Sequence, residues 1–220
     1  MHKGSASEPS TSGQKSARGR GRPRSEQART AILAATAEVL ADSEPGAVTI
    51  EAIATRAGVS KTTIYKWWPT RVELILDSLA TTTHQTRQIT PGLSTHDALV
   101  EHLQRLIDLL SDPATGGHVV ALTAEALRSP SAAAALAEKW IGPRRETGAQ
   151  IMRDGIARGD LRSDLDIDLA LDELFAPSYY RATYRYAAVD DHSATEQVDA
   201  FLRGAAAPAP GTRSDTDVET

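Results

Sequence analysis

IEAIATRAGVSKTTIYKWWP, residues 50–69, decides how the rest of this chain is read. Thr49 is a hydroxyl N-cap ahead of a short helix in which Ile50, Ile53, Ala54 and Ala57 recur at helical spacing until Gly58 stops it. Ser60 caps a second helix over 61–68, which Pro69 ends. Two short helices that cross steeply need a small residue where they touch, a residue tolerant of positive φ in the turn, and an apolar seam. Ala54, Gly58 and the set Ile53, Ala57, Val59 and Ile64 meet those needs in order. The pattern is that of a helix-turn-helix, whose second helix enters the major groove of DNA.

Two of the chain's three tryptophans are adjacent in this stretch. Ile64 and Trp68 are four apart and share a face, which makes Trp68 the core ring. Trp67 is turned about 100° away, near Thr63, where its ring can lie along a sugar-phosphate wall and its indole N–H can donate to a phosphate. The alternative places both rings in the core.

Outward from this stretch the chain reads all-α, with about nine helices. Ser25 caps a helix to about residue 41, with Ile32, Ala35, Val39 and Leu40 inward. Thr70 and Glu73 form the capping box of a fourth, linking helix through about residue 83. Leu99, Leu103, Leu106, Ile107 and Leu110 follow the 3.6-residue period after Thr95. A further helix covers about 115–128. Ser129-Pro130 opens another that reaches 158, with a kink or break at Gly142-Pro143. Helices at 166–187 and 194–203 complete the fold. The domain reading is a disordered basic arm over 1–24, a DNA-binding unit over 25–71, a ligand-binding and dimerisation unit over 72–204 and a flexible tail over 205–220.

Composition agrees. Ala and Leu lead the apolar residues, and cysteine is absent, so neither disulfides nor thiolate metal sites hold the fold, as suits a cytoplasmic protein. The longest apolar run, residues 132–137, is far short of a membrane span, and the polar N-terminus carries no secretory signal. Net charge is −5, but residues 1–71 hold 11 Lys and Arg against 6 Asp and Glu, and the remainder 13 against 23. A basic front and an acidic rear point to a polyanion partner for the front alone. In the arm, Arg20, Arg22 and Arg24 lie in RGRGRPR, and Arg20-Gly21-Arg22-Pro23 resembles the AT-hook core that enters A·T-rich minor grooves.

Residues 25–79 resemble the TetR family of one-component transcriptional regulators. The resemblance is carried by Arg29, Ile32-Leu33, Ala34-Ala35, Leu40, Thr49, Ile53-Ala54, Ala57-Gly58-Val59-Ser60, Thr63-Ile64-Tyr65, Trp68 and Thr70-Arg71. WIGPRR (140–145), ARGDLRSDLD (157–166) and APSYYR (176–181) are similar to segments of the family's second domain. The resemblance implies that Lys61, Thr62 and Lys66 read bases, and that Thr49, Ser60, Thr63, Tyr65, Trp67 and Arg71 contact or position phosphates. Hydroxyls and cations are the donors such contacts use. Thr62 stands where many members have Gly, and Trp67 where many have His or Tyr, so an operator preference does not carry over.

The resemblance further implies a homodimer on a palindromic operator, a small-molecule effector and action as a repressor. Leu171, Leu174, Phe175 and Ser178, with Val198, Phe201 and Leu202, are the dimerisation candidates. Leu103, Leu106, Ile107, Leu110, His118, Leu122, Trp140, Met152, Phe175 and Tyr179 are the ligand-binding candidates, for an apolar or aromatic effector. No cofactor or metal is expected. An enzyme is disfavoured, because the six histidines form no H-E-x-x-H and no Walker or Gly-x-Ser-x-Gly pattern occurs. Asp164, Asp166, Asp168 and Asp172 are read as helix-capping and solvated carboxylates. An architectural DNA binder acting through the arginine arm is the other reading.

Overall fold

The computed structural model describes residues 21–83 and 89–206. Among these residues there are ten α-helices and no named strand: α1 (Gly21–Asp42), α2 (Ile50–Ala57), α3 (Lys61–Tyr65), α4 (Arg71–Thr83), α5 (Thr95–Ser111), α6 (Gly116–Ala126), α7 (Pro130–Leu136), α8 (Gly142–Arg158), α9 (Ile167–Tyr184) and α10 (Ala194–Ala205). A π-helical turn, Ala137–Ile141, joins α7 to α8, so those two run on as one rod. Among the described residues no helix is long and apolar enough to cross a membrane.

The caps explain most boundaries. Hydroxyls of Thr49, Ser60, Ser94, Ser129 and Ser193 each accept from an amide three residues on, which satisfies a donor the helix leaves orphaned. Asp166 caps α9 by accepting from Asp168 and Leu169. Thr70 accepts from the Glu73 amide at 3.2 Å and donates to its carboxylate at 3.0 Å. That is a variant of the expected capping box, with the hydroxyl in place of the Thr70 amide.

Three boundaries differ from expectation. Helix α1 begins at Gly21 rather than after a Ser25 cap, so Arg22 and Arg24 stand on helical backbone instead of in an extended arm; Arg20 lies outside the described residues. Helix α10 includes Ala205, and Ala206 forms an isolated bridge with Leu161, so only 207–220 of the expected tail lie outside the described residues. The kink or break expected at Gly142-Pro143 is a π-turn, in which the Gly142 amide donates five residues back to the Ala137 carbonyl. Widening the helix by one residue makes room for the proline ring without ending the rod.

Two groups of helices share one continuous core. Helices α2 and α4 pack on α1, while α5 is flanked by α8, α9 and α10. Helix α4 and the α7 to π-turn segment join the groups. The same packing places the dimerisation candidates. Leu171, Leu174, Phe175, Ser178 and Val198 are all buried within the chain, and Phe201 and Leu202 pack against its core. A seam between copies also needs side chains that are exposed on the separate subunit: Phe201 and Leu202 are half-buried, and the large apolar side chains exposed on α9 are Leu169, Tyr180 and Tyr184, each more than half exposed.

Candidate nucleic-acid interface and interior cavity

Gly58 ends α2 at φ 65° and the Val59 amide returns to the Ala54 carbonyl at 3.0 Å. This left-handed turn aims the start of α3 outward, because a residue with a Cβ resists that conformation and glycine does not. Ile64 and Trp68 anchor the recognition segment in the core at 0% and 1% exposure. The segment outlasts α3, since the Trp67 and Trp68 amides both return to the Ile64 carbonyl.

Thr49, Ser60, Lys61, Thr62, Tyr65 and Lys66 are exposed, while Thr63 and Trp67 are half-buried. The Ser60 and Thr63 hydroxyls lie 2.9 Å apart, so they cap the helix and face outward together. Lys61 donates to Glu51 of α2 at 2.6 Å, and that hydrogen bond holds the Glu51 carboxyl below its usual range. A phosphate contact by Lys61 therefore exchanges one anion for another, and a base contact exchanges the Glu51 carboxylate for a neutral acceptor. Arg56 fastens α2 to α1 through Glu38 and Asp42 at 3.1 and 3.0 Å.

Trp68 does more than fill space. Its indole N–H donates to Asp77 at 2.9 Å. The same carboxylate accepts from Lys139 of the π-turn at 2.9 Å and lies 3.8 Å from Arg29. Arg71, expected as a phosphate or positioning contact, ties the two helical groups together: it donates to the Val48 carbonyl at 2.7 Å and forms an ion pair with Glu125 of α6. His118 was expected near a ligand but donates from Nε2 to the Leu40 carbonyl at 2.9 Å. Gly117 lies where a Cβ would come within 2.5 Å of Pro45, so α6 seats directly on the loop between α1 and α2.

A cavity of about 320 Å³ opens between α5, α6, the π-turn, α8 and α9. Four of the ligand-binding candidates line it: Leu106, Trp140, Phe175 and Tyr179. Leu103, Ile107, Leu122 and Met152 do not, being buried core, and Leu110 faces a different, open depression beside Arg181. Helical periodicity marks what faces inward but does not distinguish packed core from cavity wall. Arg144 and Arg145 also line the cavity and were absent from the candidates. Their signal was the i, i+4 spacing of Trp140 and Arg144 within WIGPRR, which puts a guanidinium over the indole at 3.7 Å from its centroid.

The Trp140 indole N–H donates to the Tyr179 hydroxyl at 3.0 Å. Burial pushes that hydroxyl's pKa up. Beneath the cavity His102 donates from Nε2 to the Arg144 carbonyl at 3.0 Å and meets Phe175 edge to face at 5.4 Å. Desolvation lowers the His102 pKa to about 4. Of the four aspartates, Asp164 pairs with Arg162, Asp166 caps α9, and Asp168 and Asp172 both pair with Arg145.

Comparison with known proteins adds the relatives. A family model described as bacterial regulatory proteins of the tetR family matches residues 32–77, and one described as the tetracyclin repressor-like C-terminal domain matches 90–201. The uncharacterized HTH-type transcriptional regulator YdeS of Bacillus subtilis is 36% identical over 163 residues, 74% of this chain and 81% of YdeS. The crystal structure of the TetR family transcription regulator SCO0332 superposes with a TM-score of 0.72 at 28% identity, covering 81% of this chain and 98% of that one. FadR of Bacillus subtilis in complex with stearoyl-CoA has the same fold at a TM-score of 0.57 and 19% identity, over 79% of this chain and 95% of FadR.

Proposed function

The chain belongs to the TetR family of transcriptional regulators and carries its DNA-binding helix-turn-helix, and from that premise we propose that it is a homodimeric, ligand-responsive repressor of a palindromic operator. Residues 25–71 read DNA, with Lys61, Thr62 and Lys66 over base edges and Thr49, Ser60, Thr63, Tyr65 and Trp67 along phosphates. The unit from 72 senses the effector and pairs the subunits. One recognition helix spans only a few base pairs, so two across a symmetric site supply the specificity. The exposed face of α9, with Tyr180 and Tyr184 rings 4.7 Å apart, is the surface for the second copy. The protein acts in the cytoplasm, where its DNA is.

One observation carries the ligand-responsive part. Lys139 and Trp140 are neighbours on the π-turn; Trp140 lines the cavity, and Lys139 holds Asp77, which holds Trp68 of the recognition segment. A ligand that moves the π-turn changes that contact. Ligand and DNA then compete through one set of groups, and each lowers the other's affinity by the same factor. The complex of FadR with stearoyl-CoA is an instance of a small molecule bound on this fold.

Deleting the gene in its host and measuring transcripts beside the genomic sites that the purified protein retains tests the sign of regulation. Transcripts that rise support repression. Transcripts that fall make the protein an activator.

A further inference from the structure

We infer that Glu51 and Lys61 together read a G·C base pair of the operator, Lys61 donating to the guanine and Glu51 accepting from the cytosine amine. The inference rests on the DNA-binding reading and adds to it a residue and a base. Glu51 stands in the first turn of α2, and Lys61 is the first residue of α3. The 2.6 Å hydrogen bond between them therefore bridges the two helices of the motif. Both side chains are more than half exposed. A recognition helix lays its N-terminal residues over base edges, and a carboxylate within hydrogen-bond reach of Lys61 shares that edge.

A carboxylate in this place works against plain affinity. DNA is a polyanion, so Glu51 adds a repulsive charge and also occupies Lys61. Among the described residues Lys61 is the one cation paired with it, and Arg56 of the same helix is held by Glu38 and Asp42. The Lys61 bond keeps the Glu51 carboxyl below its usual range, so it is ionised at neutral pH. When Lys61 turns to an acceptor on DNA, Glu51 loses its donor beside a row of phosphates. That loss is offset where the DNA itself supplies a donor.

A phosphate has none. At a G·C pair, guanine presents N7 and O6 as neighbouring acceptors, and the cytosine N4 amine follows as a donor. An ammonium beside a carboxylate matches that order. At an A·T pair the same placement sets Lys61 against the adenine amine and Glu51 against the thymine oxygen. The pair thus favours the right edge and penalises the wrong one.

The test takes the duplex that the full chain retains most tightly from a random pool and replaces each base pair in turn. Affinity measured by fluorescence anisotropy is expected to fall about tenfold or more when one G·C pair becomes A·T. Lys61→Ala and Glu51→Ala should each remove most of that discrimination at the same position, and the double substitution should remove no more than either alone. Glu51→Ala should also tighten binding to the replaced duplex and steepen its salt dependence by about one, as Lys61 passes to a phosphate. Equal tightening on matched and replaced duplexes makes Glu51 a repelling surface charge and overturns the inference. Unchanged binding, or discrimination lost at a different position from that of Lys61, overturns it as well. A wild-type chain that retains no duplex of defined sequence sinks the DNA-binding reading itself, which keeps the two failures apart.

Discussion

The adjacent tryptophans show what one residue's angular position decides. Trp68 was legible as core because it shares the Ile64 face, and it is buried at 1% exposure. Its hydrogen bond to Asp77 was not legible, because the partner is nine residues on and in another helix. The partner of Arg71 was not legible for a related reason: an arginine opening a helix next to a DNA-binding turn suits a phosphate, and nothing local reveals Glu125 across the fold, whose carboxylate already pairs with it. Arg71→Ala should therefore leave the salt dependence of operator binding unchanged, where loss of a phosphate contact lowers the slope by about one. Lys61→Ala should weaken binding to matched duplexes by roughly tenfold or more and to mismatched ones far less; equal losses in a titration of both would make it a phosphate contact. His102 titrates near 6.5 when unfolded and at about 4 when folded. Its contribution is thus complete above pH 6.5 and is lost as pH falls toward 4, on the order of 3 kcal/mol. Denaturation curves across that window should flatten in His102→Gln, which keeps an N–H donor and does not titrate.

At the scale of elements, caps and periodicity made most helices legible, because hydroxyl caps and apolar spacing are local signals. The π-turn was legible only as a disturbance at Gly142-Pro143, since choosing between a break and a widened turn depends on what packs around it. Trp140, at 1% exposure, and Lys139, bonded to Asp77, hold the widened form in place. The turn between α2 and α3 makes the opposite case, where one residue suffices. Gly58 has φ 65° and open space where a Cβ would stand, so Gly58→Ala acts through backbone strain alone. It should lower stability by about 1 kcal/mol, measured by chemical denaturation, and weaken operator binding as the α3 start tilts.

On the scale of the whole molecule, the basic front and acidic rear point to DNA at one end, and the proposed dimer uses the remaining surface to pair two such ends. The dimer stripes read from periodicity are largely internal to the single chain, because the same spacing serves a core, and Leu171 and Leu174 fill it. Leu171→Ala is expected to cost about 2–5 kcal/mol of fold stability without releasing subunits. Tyr180→Glu with Tyr184→Glu should instead yield folded monomers in equilibrium sedimentation. A stable wild-type monomer at micromolar concentration would remove the paired reading. The central claim is sequence-specific recognition by two helix-turn-helix units, and selection of bound duplexes from a random pool tests it most directly, using the full chain and a chain lacking residues 1–20. The account predicts an inverted repeat in both pools, with A·T-rich flanks only for the full chain. A·T enrichment without symmetry, lost on truncation, would contradict it and leave the arginine arm as the binder.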